Sequence, residues 1–321
     1  MLCYDSLPLA VVHTLRTTHP TPTMIKPRLI DLTAVAICTL SWGTTWYAIT
    51  FQLGTVDPVI SLVYRFSLAA MLLFTWCALR AIPARLSAAQ HAAACGMGLF
   101  TFSINYTFVY LAETHITSAV VAVMFAMLSL VNLAVFRVML GQRAPLRAWG
   151  AAGLGASGVA ILSWSEIVSA HLNEQARVGF AMACISIVCA SLGNVCAHRR
   201  AAENAPVASL TAWAMTYGTA FLALYALVTQ RVWLFEANLR YIASLIYLAV
   251  VGSVIAFLFF YGLARRRGYS AASYITALTP IVAMTVSSVF EGKTWSAMAI
   301  AGVACALLGQ WLFITGTARK P

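Results

Sequence analysis

Charged side chains are scarce in this sequence. Only 9% of its 321 residues are Asp, Glu, Lys or Arg, whereas 61% are hydrophobic. A soluble domain usually carries charges at about a quarter of its positions, so the scarcity excludes a water-soluble protein of this length. The apolar runs reach the length of about 20 residues that a helix needs to cross a bilayer. They also lack the short alternating segments of an outer-membrane barrel, and the sequence therefore predicts an all-α polytopic membrane protein.

Recognisable ligand and nucleotide motifs are also missing. The eight cysteines and six histidines have no metal-ligand spacing, and no glycine-rich phosphate loop is present. We therefore expect no cofactor, no metal and no catalytic residues, and we expect the cysteines to pack as small apolar side chains. The net charge of +11 comes from basic residues in short loops. Membrane topology explains it, so we expect no nucleic-acid partner.

Ten apolar segments are long enough to span a bilayer. Short connections separate them, and the longest, residues 166–177, is polar and predicted to be an external linker. Residues 1–28 are predicted to be a disordered tail, within which Met24 would serve equally well as a start, and residues 317–321 a cytoplasmic tail. The predicted spans are residues 31–52, 59–80, 91–111, 117–138, 147–165, 178–198, 207–229, 241–264, 270–290 and 296–316.

Basic residues are distributed unevenly between the two sides of these spans. With a cytoplasmic N-terminus, the outer segments carry only Arg177, Arg231, Arg240 and Lys293, and Arg65 lies within a span. The remaining 15 of the 20 Lys and Arg residues fall in the inner segments. Because Lys and Arg accumulate in cytoplasmic loops, we expect a multi-pass protein of the cell (inner) membrane with both termini in the cytoplasm.

Four pairs of similar segments recur in the same order in the two halves of the chain. They predict an internal duplication, with five-helix repeats at residues 29–165 and 178–316. The pairs are LSWGTTW (40–46) with SLGNVC (191–196), DPVISL (57–62) with APVASL (205–210), TSAVVAVMFAMLSLV (117–131) with YSAASYITALTPIVA (269–283), and GAAGLGASGVAIL (150–162) with GVACALLGQWLF (302–313).

The second repeat is predicted to be inverted relative to the first, because five is an odd number of spans. The basic residues change sides accordingly: the loop between the third and fourth spans has none, whereas its counterpart contains Arg265, Arg266 and Arg267. Inverted repeats are typical of secondary transporters that work by alternating access, with the solute bound near the midplane. The alternatives are a duplicated scaffold that transports nothing and an integral-membrane enzyme.

Several stretches are similar to those of a known family. They are SWGTTWYAIT (41–50), YRF (64–66), NYTFVYLAETHITSAVVAVMFAMLSL (105–130) and ALTPIVAMTVSSVFEG (277–292). Through them the chain resembles the EamA-type carriers of the drug/metabolite transporter superfamily over residues 30–316. The resemblance implies ten transmembrane helices in two inverted five-helix repeats around a central cavity. It also implies export or exchange of a small metabolite, such as an amino acid, by a monomer or homodimer in a lipid bilayer.

The chain departs from the family pattern at the fourth span, after which Gln142 replaces the Glu of a Gly-Glu-Arg segment, and it differs from small multidrug carriers at the first span. Ser129 stands where the family usually has proline, which predicts a less kinked fourth helix. Thr44 and Thr45 occupy the region where small multidrug carriers of the superfamily have a carboxylate, which disfavours that mechanism of cation efflux. Uniport, exchange and proton coupling through Glu113 stay open.

Polar and aromatic residues within the spans are the candidates for contact with a solute, because polar groups in hydrocarbon tend to face a cavity or the bundle interior. Trp46 and Tyr47 are left out, since aromatic residues near span ends are typically interface anchors. We expect a substrate cavity formed by Trp42, Thr44, Thr45, Arg65, Asn105, Tyr106, Asn194, Tyr261, Tyr274, Thr276 and Pro280.

Other interpretations of these residues stay open at this point. Arg65 could bind a carboxylate or phosphate through its two-pronged guanidinium, or be a structural arginine that reaches the interface or pairs with Asp57 or Glu113. The asparagines could instead form hydrogen bonds between helices. Gly43 and Gly193, at equivalent places in the two repeats, could interrupt helices near the site or allow close packing.

Overall fold

The computed structural model describes residues 29–162, 174–267, 269–290 and 296–317. The predicted N-terminal tail, residues 166–173 of the predicted linker and most of the C-terminal tail lie outside these ranges. Regular structure within them is helical throughout. The long helices are α1 (Leu29–Thr50), α2 (Pro58–Leu79), α3 (Ala88–Glu113), α4 (Ser118–Leu140), α5 (Leu146–Leu162), α6 (Glu174–Ala197), α7 (Val207–Val228), α8 (Leu239–Arg267), α9 (Tyr269–Phe290) and α10 (Ala297–Thr317), with a single turn at Arg200–Glu203.

Helix starts follow local sequence signals. The Asp57 side chain accepts a 2.8 Å hydrogen bond from the Val59 amide, and Pro58 occupies the first turn of α2, where its missing N–H costs nothing. At α3, Ser87 and Gln90 bond each other's backbone amides in a capping box. Such caps satisfy the amides that the first helical turn leaves without a partner, and they position the helices that carry the site.

Seven helices of the described residues, α1–α4 and α6–α8, are long and apolar enough to cross a bilayer. The segments Leu278–Phe290 of α9 and Ala297–Gly309 of α10 are apolar over shorter lengths. The protein is therefore an all-helical, multi-pass membrane protein, and the count of ten spans stays a prediction.

Three of the long helices are not α-helical throughout. Gly98–Asn105 in α3 and Val250–Ile255 in α8 are π-helical, and Phe125–Met127 in α4 forms a 3₁₀ turn. Ser129 in place of proline predicted a less kinked fourth helix, but the 3₁₀ turn interrupts the α-helical hydrogen bonding of α4 just before Ser129. By contrast, α1 and α6 continue as α-helix through Gly43 and Gly193. Interruption at these two glycines was the wrong interpretation.

Close packing accounts for both glycines. A Cβ on Gly43 would overlap the side chain of Val282 in α9, and one on Gly193 would overlap Thr101 in α3. At another crossing, Gly309 of α10 lies against the backbone of Gly155 in α5. Small residues allow helix backbones to approach closely in membrane bundles, and these contacts hold the two halves of the chain together.

The helix contacts follow a repeating scheme. Helix α2 packs along α7, and α5 packs along α10. Helix α1 contacts α8 and α9, while α6 contacts α3 and α4. Each helix of the first half corresponds to the helix five places later, so that α1 corresponds to α6, α3 to α8 and α4 to α9. Under this correspondence the contacts of α1 with α8 and α9 match those of α6 with α3 and α4. The pairs α2–α7 and α5–α10 each consist of two corresponding helices. This scheme supports a twofold relation between the halves.

Candidate functional site

A cavity lies between the two halves of the chain. Helices α1–α4 supply one part of its wall, and α6, α8 and α9 supply the other. The cavity has a volume of about 90 Å³, room for roughly six or more waters or one small organic molecule. The described residues that line it are Trp42, Thr45, Trp46, Ile49, Arg65, Thr101, Asn105, Tyr106, Val109, Ala122, Phe125, Leu128, Ala190, Asn194, Phe257, Phe260, Thr276 and Thr279.

The structure brings most of the predicted site residues to this cavity. From the first half it places candidates of the three helices α1, α2 and α3 there, and from the second half one residue each of α6 and α9. These predicted residues are Trp42, Thr45, Arg65, Asn105, Tyr106, Asn194 and Thr276. Their role in binding a solute stays a prediction.

The other four predicted residues lie differently. The Thr44 hydroxyl shares a 2.5 Å hydrogen bond with the Tyr247 hydroxyl, and neither residue is in the described lining. Tyr261 is buried and packs against Phe257 behind the wall. Pro280 is buried within α9 and cannot donate the helical hydrogen bond to the carbonyl of Thr276. The side chain of Tyr274 lies outside the described residues.

Aromatic rings form much of the wall. The Trp42 ring contacts Phe257 and Phe260 of α8, with ring centroids 5.3 and 5.2 Å apart. The Trp42 indole also donates a 3.2 Å hydrogen bond to the carbonyl of Gly252. Phe257 and Phe260 were not predicted, because two more apolar residues in an apolar helix give no sequence signal.

Trp46 corrects an expectation. Its position near the end of α1 suggested an interface anchor, yet its side chain is buried and lines the cavity. The ring packs on Phe125 in the 3₁₀ turn of α4, with centroids 5.0 Å apart. Tyr47, by contrast, stacks on Phe290 of α9 at 5.2 Å and lies outside this lining.

Arg65 is the charged residue of the described wall. Its side chain is buried, with 1% exposure. Nε donates a 3.0 Å hydrogen bond to Oγ of Ser253, and Nη1 donates a 3.2 Å bond to the Tyr110 hydroxyl. The guanidinium carbon lies 4.7 Å from the centre of the Tyr106 ring, a cation–π distance.

The acidic partners suggested for Arg65 are not its partners here. Asp57 instead forms a 2.9 Å ion pair with Arg231 in the α7–α8 connection. A hydrogen bond from Arg231 to Tyr225 and then the charge of Asp57 raise the pKa of that exposed arginine. Within the described ranges, no ion pair joins Arg65 to Asp57 or to Glu113.

Amide and hydroxyl groups complete the polar part of the wall. The Asn105 amide nitrogen donates to the carbonyl of Thr101 at 3.1 Å, which leaves Oδ1 buried with no partner among the described residues. Nε1 of Trp46 is also buried without one. Asn194 donates to Asn132 of α4 at 3.4 Å, the bond between helices that was the alternative interpretation.

Comparison with known proteins places this architecture in a family. The sequence profile of the EamA-like transporter family matches the chain twice, over residues 29–164 and 177–315. The chain belongs to the EamA-like transporter family. The predicted resemblance is thereby confirmed, and the protein is a membrane transporter.

Individual relatives of this EamA-like chain are distant. It is 20% identical over 280 residues to an uncharacterized transporter of Archaeoglobus fulgidus, covering 87% of this chain and 97% of that one. It is 23% identical over 291 residues to protein PagO of Salmonella typhimurium, covering 88% and 92%. A solved crystal structure matches with a TM-score of 0.68 and 18% identity, covering 91% and 98%. At this identity the structural match shows the shared fold alone.

Proposed function

We propose that the protein is a secondary transporter that exports or exchanges a small organic metabolite, such as an amino acid, by alternating access. The observation that carries the proposal is a cavity whose walls come from both halves of the chain. Such a site can open to either side when one half moves relative to the other. In this proposal the halves are inverted five-helix repeats, residues 29–165 and 178–316, joined by an external linker at 166–177.

Contacts at the two ends of α1 suggest how the cavity closes. At its start, Asp31 forms ion pairs of 3.0 and 2.8 Å with Arg266 and Arg267 at the end of α8. At its other end, Tyr47 stacks on Phe290 of α9. In alternating access these two contacts separate in turn, the first when the cavity opens to the cytoplasm and the second when it opens outside.

The proposed orientation puts both termini in the cytoplasm of a cell (inner) membrane. It is supported by the basic residues of corresponding loops, with Arg80 and Arg85 after α2 but the Asp57-paired Arg231 after α7. Alkaline phosphatase fusions after residues 85 and 235 test it. Inversion requires an inactive fusion at 85 and an active one at 235, and equal activity at both would contradict it.

The transport unit needs no second copy of the chain, because one chain supplies all the lining residues described above. In this proposal the protein acts as a monomer, or as a homodimer that contains two independent cavities. Membership of a transporter family favours this function over a scaffold or an enzyme.

An export assay in cells tests the function. Bacteria that overproduce the protein are loaded with dipeptides or toxic amino-acid analogues, and both growth and release of the free amino acids are followed. We expect faster release and better growth with at least one compound than with empty vector. A variant with Trp42 replaced by alanine, made at equal membrane level, should lose the effect because it removes the central aromatic wall. Release equal to the vector control for every compound would contradict the proposal.

A further inference from the structure

We propose that Arg65 binds the carboxylate of a substrate whose body is apolar or aromatic, an assignment that rests on the proposed transport function. Arg65 lines the cavity, and only 1% of the residue is exposed. A guanidinium remains charged in proteins. A buried charge is costly unless an opposite charge or a full set of hydrogen bonds compensates it, so the neighbours of Arg65 decide what the cavity can take.

The groups that accept hydrogen bonds from Arg65 are neutral. Ser253 donates its own hydroxyl proton to the carbonyl of Leu248 at 2.9 Å, so its oxygen is left to accept from Arg65. The Tyr110 hydroxyl accepts from Nη1. A guanidinium has five N–H donors, and in the part of the chain that the structure describes no carboxylate forms an ion pair with it. The site therefore has a positive charge and donors for a ligand that brings a negative one.

The rest of the wall favours a single carboxylate as the negative group of the ligand. Of the 18 lining residues described, Arg65 is the only one with a charge. A planar carboxylate matches the fork of one guanidinium and can accept two parallel hydrogen bonds. A phosphate dianion would leave one charge uncompensated, because these lining residues include no second cation, and an amine that lacks a carboxylate would be repelled by the like charge of Arg65.

The aromatic side chains of the cavity wall indicate what kind of body the ligand has. Trp42, Trp46, Phe257 and Phe260 present aromatic surface to the same small cavity. Burial of an aromatic or branched apolar group there would be favourable. The unpartnered Oδ1 of Asn105 would in addition accept a hydrogen bond from an ammonium or hydroxyl next to the carboxylate. Two kinds of ligand have a carboxylate on an aromatic body: an amino acid, and a simple acid without an amino group.

Four small probes with one benzyl body test the assignment. Purified full-length protein in detergent is titrated with 3-phenylpropanoate, L-phenylalanine, L-phenylalaninamide and 2-phenylethylamine, and binding is followed by calorimetry. We expect the two carboxylates to bind saturably and the two probes without one to bind on the order of tenfold or more weakly, the value of hydrogen bonds to a charged group. Tighter binding of phenylalanine that disappears in Asn105→Leu would identify an amino acid, and equal binding a simple acid.

Substitutions of two arginines, one within α2 and one at its end, test the role of the Arg65 guanidinium. Arg65→Gln should abolish the preference for the carboxylates, and Arg65→Lys should keep part of it because the charge remains. Arg80→Gln is the matched control, since Arg80 is an exposed arginine at the end of the same helix. Gel filtration and thermal unfolding identify a variant that fails to fold. If Arg65→Gln does not fold, the comparison of the four probes on the wild-type protein still tests the assignment.

Three results would overturn the assignment: binding of the amide as tight as that of phenylalanine, unchanged carboxylate binding in folded Arg65→Gln, or no saturable binding of either carboxylate. None of them would by itself remove the proposed transport function, because export in cells is measured with a wider set of compounds. Conversely, carboxylate binding without export in cells would leave Arg65 as an anion site and contradict transport.

Discussion

Nε of Arg65 donates a 3.0 Å hydrogen bond to Oγ of Ser253. The bond joins α2 of the first half to the π-helical segment of α8 in the second half. Ser253 in turn bonds the carbonyl of Leu248, five residues earlier in α8. The orientation of the cavity's charged residue is therefore fixed by a helix from the other half, so a movement of α8 relative to α2 would change the site.

Replacement of Ser253 by alanine removes the acceptor for Nε. A hydrogen bond to a charged group contributes about 1.5–3 kcal/mol, so we expect a lower unfolding temperature and weaker binding of carboxylate probes. Ser157→Ala is the control, because the Ser157 hydroxyl is exposed and bonds only the carbonyl of Gly153 in its own helix. Equal unfolding temperatures for the two variants would show that the Arg65–Ser253 bond contributes nothing.

Gly252 provides the room that Arg65 and Thr45 need. A Cβ at this position would lie 3.2 Å from Nη2 of Arg65 and 2.6 Å from Cγ2 of Thr45. We expect Gly252→Ala to lower stability by about 1–3 kcal/mol, the usual cost of overpacking, and to reduce transport.

The matched control for that variant is Gly153→Ala in α5, where the added methyl would meet nothing within 4 Å. Alanine is the better helix former by about 0.5–1 kcal/mol, so the control should be neutral or slightly stabilising in thermal unfolding. Destabilisation of both variants to the same extent would point to a general sensitivity of the bundle, not to a clash at the site.

Much of the helix layout could be predicted, because an apolar run bounded by caps sets both ends of a span. The second and seventh spans were expected at 59–80 and 207–229, and the structure has Pro58–Leu79 and Val207–Val228. Helix α6 begins at Glu174, four residues before its expected start at 178. Its first turn is polar, and hydropathy cannot detect the part of a helix that projects beyond the hydrocarbon.

The π-helical segments and more than half of the described cavity wall could not be predicted. Hydrophobic patterning does not distinguish the two helix types when a segment such as Val250–Ile255 is almost entirely apolar. Arg65 and Asn105 could be chosen because they are polar in an apolar setting. Phe257 and Val109 are apolar residues in apolar helices, so nothing in the sequence distinguishes them. Trp46 lies near a span end, where an interface anchor is expected, and only its contact with Phe125 in the folded protein shows that its ring faces the cavity.

The ion pairs of Asp31 should control access from one end of α1. An ion pair near the surface contributes about 1 kcal/mol, so Asp31→Asn should raise the open population roughly fivefold. Cys38, which is buried and donates to the carbonyl of Ala256 at 3.3 Å along the same helix pair, reports the opening. We expect faster alkylation of Cys38 by a membrane-permeant maleimide, measured by peptide mass spectrometry.

The control for this experiment is Glu203→Gln, which removes a carboxylate that pairs with His198 and leaves the α1–α8 contact intact. Its alkylation rate at Cys38 should equal that of wild type. Slow alkylation of Cys38 in both variants would show that Asp31 is not part of a gate.

A cross-link at the other end of α1 should stop transport. The rings of Tyr47 and Phe290 stack with centroids 5.2 Å apart, close enough for a short bis-maleimide to join cysteines placed at both positions. We expect the reagent to inactivate the Tyr47→Cys/Phe290→Cys double variant, because alternating access requires these ends to separate. The single Tyr47→Cys variant treated in the same way should stay active, and an active cross-linked double variant would exclude movement here.

Counterflow in proteoliposomes tests the whole account most directly. Vesicles containing the wild-type protein or Arg65→Gln are loaded with unlabelled L-phenylalanine or 3-phenylpropanoate and diluted into a trace of the same compound in labelled form. A carrier with one site that faces each side in turn predicts a transient accumulation of label above equilibrium in wild-type vesicles and none in Arg65→Gln vesicles. Entry of label at the rate of protein-free vesicles, or entry that never exceeds equilibrium, would contradict it.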